Sequence, residues 1–154
     1  MYPKKINVQD KNVIIEVWDT AGQEKFRSIS PLFYRNALGC ISVFEATSED
    51  SLKDCFDYVN DFLDSVPDGN VVICANKIDL IETDLSSDPL IIDAQRMCDQ
   101  EKFSFVVASA KTGEGIEEVF LSIANQITKQ LNPNLFDENT ININSKKNEG
   151  GCSC

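Results

Sequence analysis

Trp18-Asp19-Thr20-Ala21-Gly22-Gln23 follows the apolar run Val13, Ile14, Ile15 and Val17, and only seventeen residues precede it in a chain of 154. A carboxylate at a strand end, followed by small residues and a Gln, suits a ligand that carries phosphate. Asp19 can hold the hydration shell of Mg²⁺, Gly22 leaves its N–H free to approach a phosphate oxygen, and the Gln23 amide can orient an attacking water. Thr20 and Ala21 are the small residues between them. A phosphate-cradling strand–helix–strand unit needs about 30 residues or more. The segment is therefore expected to be a phosphate sensor standing without its cradle.

The bulk of the sequence narrows the class. A length of 154 residues with 42% hydrophobic content is expected to form one folded domain with a sizeable core. The net charge of −11 excludes a basic nucleic-acid-binding face. No apolar run reaches the length of a membrane span, and the opening Met1-Tyr2-Pro3-Lys4-Lys5 is no secretory leader. Without a single His, imidazole catalysis is out, and the six cysteines lack zinc-ligand spacing. Cys40, Cys55, Cys74 and Cys98 lie singly in apolar stretches and read as reduced core residues.

Strands and helices alternate along the chain. Residues 4–8 and 12–18 read as an antiparallel hairpin around Gln9-Asp10-Lys11-Asn12. Residues 19–36 read as a mobile loop with a short helix. Cys40–Phe44, Val71–Ala75 and Phe103–Val107 read as buried strands. Ser48 starts a helix with Glu49 and Asp50 in its first turn, and Leu52, Phe56, Val59 and Leu63 repeat along it at helical spacing. Two further helices are expected from Leu90 to Gln100 and from Gly115 to Leu131. Such alternation predicts a mostly parallel sheet covered by helices on both faces. From Asn132 the chain holds six Asn and few apolar groups, so residues 132–154 are expected to be a flexible tail beyond a domain of residues 1–131.

Two more motifs sit where strands end. Asn76-Lys77-Ile78-Asp79 follows Val71–Ala75. A carboxylate at Asp79 can accept from both N1–H and the 2-amino group of guanine, whereas adenine offers it an acceptor at N1 and no 2-amino group. Asn76 can bind the N7/O6 side of such a base or brace a neighbouring loop, and the Lys77 stem can cover one face. A loop with a helix-capping Asp is the structural alternative. Ser109-Ala110-Lys111 follows Phe103–Val107. There Ser109 can hold Asp79, the Ala110 N–H can donate to O6, and the Lys111 stem can stack on the base; an ordinary strand-to-helix loop is the alternative. Open α/β sheets bind ligands outside the carboxyl ends of their strands, which is where all three motifs fall.

Together these motifs resemble those of small GTPases of the Ras superfamily. Trp18, Glu24-Lys25-Phe26-Arg27-Ser28-Ile29 and Phe33-Tyr34-Arg35-Asn36-Ala37 resemble the Rab branch, as does the ending Cys152-Ser153-Cys154. The resemblance implies an α/β, P-loop NTPase-like fold and a GTP-hydrolysing switch in vesicle-mediated transport, with GTP/GDP and Mg²⁺ as cofactors. It implies Asp19 near Mg²⁺ through water, Gln23 as the catalytic residue, and Asp19–Gln23, Asn76, Lys77, Asp79, Ser109, Ala110 and Lys111 around the nucleotide. It also implies exchange factors, GTPase-activating proteins, escort or dissociation-inhibitor proteins and effectors as partners. Geranylgeranyl on Cys152 and Cys154 would hold the protein on the cytosolic face of endomembranes, because two lipid chains anchor stably where one binds marginally.

The sequence departs from that pattern at its start. No Gly-x-x-x-x-Gly-Lys-Ser/Thr occurs, and the family's first strand, first helix and switch I Thr have no counterpart. Glu45 stands where Rabs commonly carry Asp, and Phe33 where Tyr is common. The chain is expected to be N-terminally incomplete, with open edges on the strands at 12–18 and 40–44, and to bind GTP weakly or not at all, without useful hydrolysis. A non-catalytic prenylated module that binds Rab escort or effector proteins is the alternative.

Overall fold

Alternating burial marks the hairpin, and a continuous buried run marks the centre of the second sheet. In the computed structural model, which describes residues 2–8, 11–20, 34–131 and the backbone of 141–142, β1 (Tyr2–Val8) and β2 (Lys11–Val17) form an antiparallel ribbon. Ile6 lies opposite Val13 and Val8 opposite Lys11. Val8 and Val13 are buried. A second sheet holds β3 (Gly39–Glu45), β4 (Asn70–Asn76) and β5 (Ser104–Val107), all parallel, with β4 central.

β4 is buried on both faces, as a central parallel strand requires. Val71, Ile73 and Ala75 join the core beneath α1 (Glu49–Ser65) and α2 (Pro89–Glu101). Val72 and Cys74 join the core beneath α3 (Ile116–Gln130). Each helix start follows from its sequence. The Ser48 hydroxyl accepts from the Ser51 N–H, and the acidic Glu49 and Asp50 occupy the positive end of α1. Asp88 caps α2 by accepting from the Leu90 and Ile91 N–H groups, with Pro89 in the first turn. The apolar repeat places Leu52, Cys55, Val59 and Phe62 against the sheet.

α3 serves two masters. Val119, Ile123 and Ile127 pack on Val72, Cys74 and Ala108, while Ala124, one residue on, packs with Val8 and Val13 of the hairpin. The two sheets thus meet at this helix. Sequence reading predicted one mostly parallel sheet; the α/β class holds, but no ladder joins β2 to β3 among the described residues.

One expectation for the strand edges is corrected. The second edge of β2 is paired: β6 (Ile141–Asn142) runs parallel to it, with Val13 opposite Ile141 and Ile14 opposite Asn142. A short strand from the Asn-rich segment thereby satisfies backbone groups that an open edge would leave exposed. Among the described strands β3 pairs with β4 alone, and Val43 in its middle is 53% exposed. The expected loop and short helix over 19–36 fall mostly outside the described residues, as does most of 132–154.

Cys40, Cys55, Cys74 and Cys98 are free thiols within the core. Burial pushes Cys40 and Cys98 up to about 12 and Cys55 and Cys74 up to about 11, so they stay protonated and unreactive at neutral pH.

Because Ile123 is 3% exposed and lies at the junction served by α3, Ile123→Ala is expected to cost about 2–5 kcal/mol. Urea unfolding of the wild type and the variant reads that loss.

Candidate base-binding site

Parallel strands deliver their carboxyl ends to one edge of the sheet. β4 ends at Asn76, and the chain turns sharply there. Lys77 adopts a left-handed backbone (φ 67°), which for a side chain with Cβ costs about 1 kcal/mol or more. The turn sets the short helix Ile78–Leu80, with Ile78 buried and its N–H donating to Ala108 O at 3.3 Å. Asp79 emerges on this helix beside the end of β5.

β5 passes through Ala108 into Ser109, which is fully buried. The Ser109–Gly115 loop is tight: the Ser109 N–H donates to Glu114 O at 2.9 Å and the Gly113 N–H to Ser109 O at 2.8 Å. Gly115 begins α3 at φ 71°, and a Cβ there would lie 2.1 Å from Val107 O. Only glycine fits that approach.

Two hydrogen bonds made by side chains tie these loops together. Ser109 Oγ accepts from the Thr112 N–H at 3.2 Å and donates to Asp79 Oδ1 at 2.6 Å. Asn76 Oδ1 accepts from the Ala110 N–H at 3.0 Å. Of the two roles open to Asn76, the loop brace is the one present. The Ala110 N–H, expected to face O6 of a base, is engaged by that brace.

The other Asp79 oxygen, Oδ2, pairs with Lys111 Nζ at 3.3 Å; the aspartate side chain is 13% exposed and the lysine 77%. The Ser109 hydroxyl, with the Lys111 ammonium behind it, holds the Asp79 carboxyl below the usual carboxylate range. Asn76, Lys77, Asp79, Leu80, Ala110 and Lys111 line one cleft of about 310 Å³. The cleft offers a fixed carboxylate as acceptor, two lysine stems as apolar walls and the Leu80 side chain. An acceptor between apolar walls can meet the edge of a planar ring that presents adjacent N–H groups.

Six of the expected residues are thus brought together: Asn76, Lys77, Asp79 and Ala110–Lys111 in the cleft, and Ser109 beneath it. Asp19 and Thr20 are exposed just after β2 and do not line that cleft. Ala21, Gly22, Gln23, Cys152 and Cys154 lie outside the described residues. No cluster of three or more carboxylate or thiol side chains that could hold a metal ion occurs among the described residues. Sequence reasoning missed Leu80 as a wall and missed the partner of Lys77. Its ammonium pairs with Glu45 Oε2 at 2.5 Å.

Residues 1–129 match the Ras family. The GTP-binding protein YPT53 of Saccharomyces cerevisiae is 30% identical over 98% of this chain and 77% of its own length. The Ras-related protein Rab-4 of Dictyostelium discoideum is 33% identical over 82% of this chain and 60% of its own. Human Ras-related protein Rab-4B is 34% identical over 86% of this chain and 61% of its own. The chain belongs to the Ras family, among its Rab-type small GTPases. It spans about three fifths of the length of the Rab-4 relatives.

The depressed Asp79 carboxyl makes its own prediction. A lowered folded value means the stabilisation is present above the ordinary value of 3.8 and is lost as pH falls through the lowered one. Carbon-detected NMR titration of Asp79 is expected to give a midpoint below 3.8, and Ser109→Ala is expected to move it upward.

Proposed function

We propose that this chain is the guanine-reading part of a Rab-type GTP/GDP switch in vesicle-mediated transport. The observation that carries the reading is the Asp79 carboxylate, ionised and fixed by Ser109, in a cleft walled by Lys77 and Lys111. Guanine presents N1–H and the 2-amino group side by side, and Asp79 accepts both once Lys111 yields Oδ2. Adenine leaves the same carboxylate without a donor, and a desolvated acceptor left unpaired costs about 1–3 kcal/mol. The sequence similarity to proteins named as GTP-binding and Ras-related supports the same assignment.

In this reading Asp19 holds the water shell of Mg²⁺, Gly22 meets the γ-phosphate and Gln23 orients the hydrolytic water. Bound Mg²⁺ neutralises charge that develops on the phosphate oxygens. The Gly22–Asn36 segment is the switch that exchange factors, GTPase-activating proteins and effectors read. Geranylgeranylated Cys152 and Cys154 anchor the tail to membranes, helped by escort and dissociation-inhibitor proteins. With contacts from the base end, this polypeptide alone is expected to bind GDP no tighter than the micromolar range.

Calorimetric titration with GDP and with ADP, both with Mg²⁺, tests the reading. GDP is expected to bind at least tenfold tighter than ADP. Asp79→Ala is expected to abolish that preference. Asp79→Asn replaces one acceptor with a donor and is expected to turn the preference toward xanthosine diphosphate, whose base carries an oxygen at position 2. Equal affinity of the wild type for GDP and ADP contradicts the assignment, and submicromolar GDP binding contradicts the expected weakness.

A further inference from the structure

Glu45 ends β3 with every polar group of its residue engaged. Its N–H donates to Ser51 Oγ at 3.0 Å, and its carbonyl accepts from the Ser48 N–H at 3.0 Å. The carboxylate is held the same way: Oε1 accepts from Thr47 Oγ1 at 3.0 Å and Oε2 from Lys77 Nζ at 2.5 Å. Opposite it in the ladder is Asn76, the residue before Lys77. The Ala46 N–H closes that end by donating to Asn76 O at 2.8 Å. Lys77 thus leaves a left-handed backbone on the cleft side and ends on a carboxylate fixed to the neighbouring strand.

We propose that Glu45 is a positioning residue for base binding, acting through Lys77. The inference rests on the guanine reading of the cleft and adds a residue to it. With the ammonium pinned at Glu45, the four-carbon stem of Lys77 is stretched as a wall of the cleft. A flat apolar wall is what one face of a base packs against, and ordering it beforehand removes a side-chain entropy cost from binding. The pin has a second effect. The cleft contains one reader carboxylate, Asp79, and one lysine, Lys111, already pairs with it. A released Lys77 ammonium would be a further competitor for the oxygens that the base needs.

Little stability is at stake. The Lys77 side chain is 50% exposed and that of Glu45 36%, and ion pairs of this exposure contribute little to folding. The effect of Glu45 therefore belongs in ligand affinity. That separates a positioning role from a structural one.

The test is a double-mutant cycle on the full chain, read by GDP calorimetry alongside thermal unfolding. Glu45→Ala is expected to weaken GDP binding by about threefold to tenfold with an unchanged unfolding midpoint. Glu45→Asp, which keeps the charge, is expected to restore part of that loss. Lys77→Met keeps the stem and removes the ammonium, and in that background Glu45→Ala is expected to change affinity by less than about twofold. An undiminished loss in the Lys77→Met background overturns the proposal, as does a Glu45→Ala variant that binds GDP like the wild type. A wild type that binds GDP and ADP alike overturns the base-reading assignment, and this proposal falls with it. A wild type that prefers GDP, paired with an unaffected Glu45→Ala, overturns this proposal alone.

Discussion

The packing of one helix, α3, holds the rest of the structure in place. Its residues Val119, Ile123 and Ile127 cover one face of the parallel sheet, and Ala124 reaches the hairpin. No ladder hydrogen bonds connect the two sheets among the described strands, so apolar burial on α3 joins them. Lys4 of the hairpin adds a cation over the Phe120 ring of the same helix, 4.7 Å from its centre. The start of α3 is also fixed by the site. Gly115 must approach the β5 backbone closely, and the loop before it carries Ser109, Ala110 and Lys111. Loosening the helix therefore loosens the base cleft.

The cleft shows how two loops become one rigid edge. Asn76 and Asp79 come from the end of β4, while Ser109 and Ala110 come from the end of β5. Both bonds run one way across the gap: the β5 loop gives the donors, the Ser109 hydroxyl and the Ala110 N–H, and the β4 loop gives the acceptors, Asp79 Oδ1 and Asn76 Oδ1. Ser109 is buried with both of its partners in place, so its hydroxyl hydrogen has one direction to point. Asp79 consequently stands ionised and oriented before any ligand arrives. Such preorganisation lowers the cost of recognition. The two lysines at the cleft are each matched to a carboxylate, Lys111 to Asp79 and Lys77 to Glu45.

Much of this was legible in the sequence because local rules and tertiary demands agree. Ser48 and the Leu52–Val59 repeat gave α1, and the unbroken Val71–Ala75 run gave the strand buried on both faces. Ser109 beside Asp79 was readable because both residues follow strands that a parallel sheet places side by side. The partner of Lys77 was not readable. It sits 32 positions earlier and depends on the register of β3 against β4, which pairs Glu45 with Asn76. The bond from the Ala110 N–H to the Asn76 side chain depends in the same way on how the two strand ends lie side by side. The strand at Ile141–Asn142 escaped because its order comes from the edge of β2, while its own composition reads as tail.

The claim at the centre is that the braced Asp79–Ser109 and Asn76–Ala110 loops recognise the guanine edge. Amide chemical shifts of the full chain, recorded during additions of GDP and of ADP, test it most directly. The account predicts that GDP moves the amides of Asp79, Ala110 and Lys111, while ADP at the same concentration leaves them in place. Equal movement with both nucleotides, or movement with neither, would contradict it.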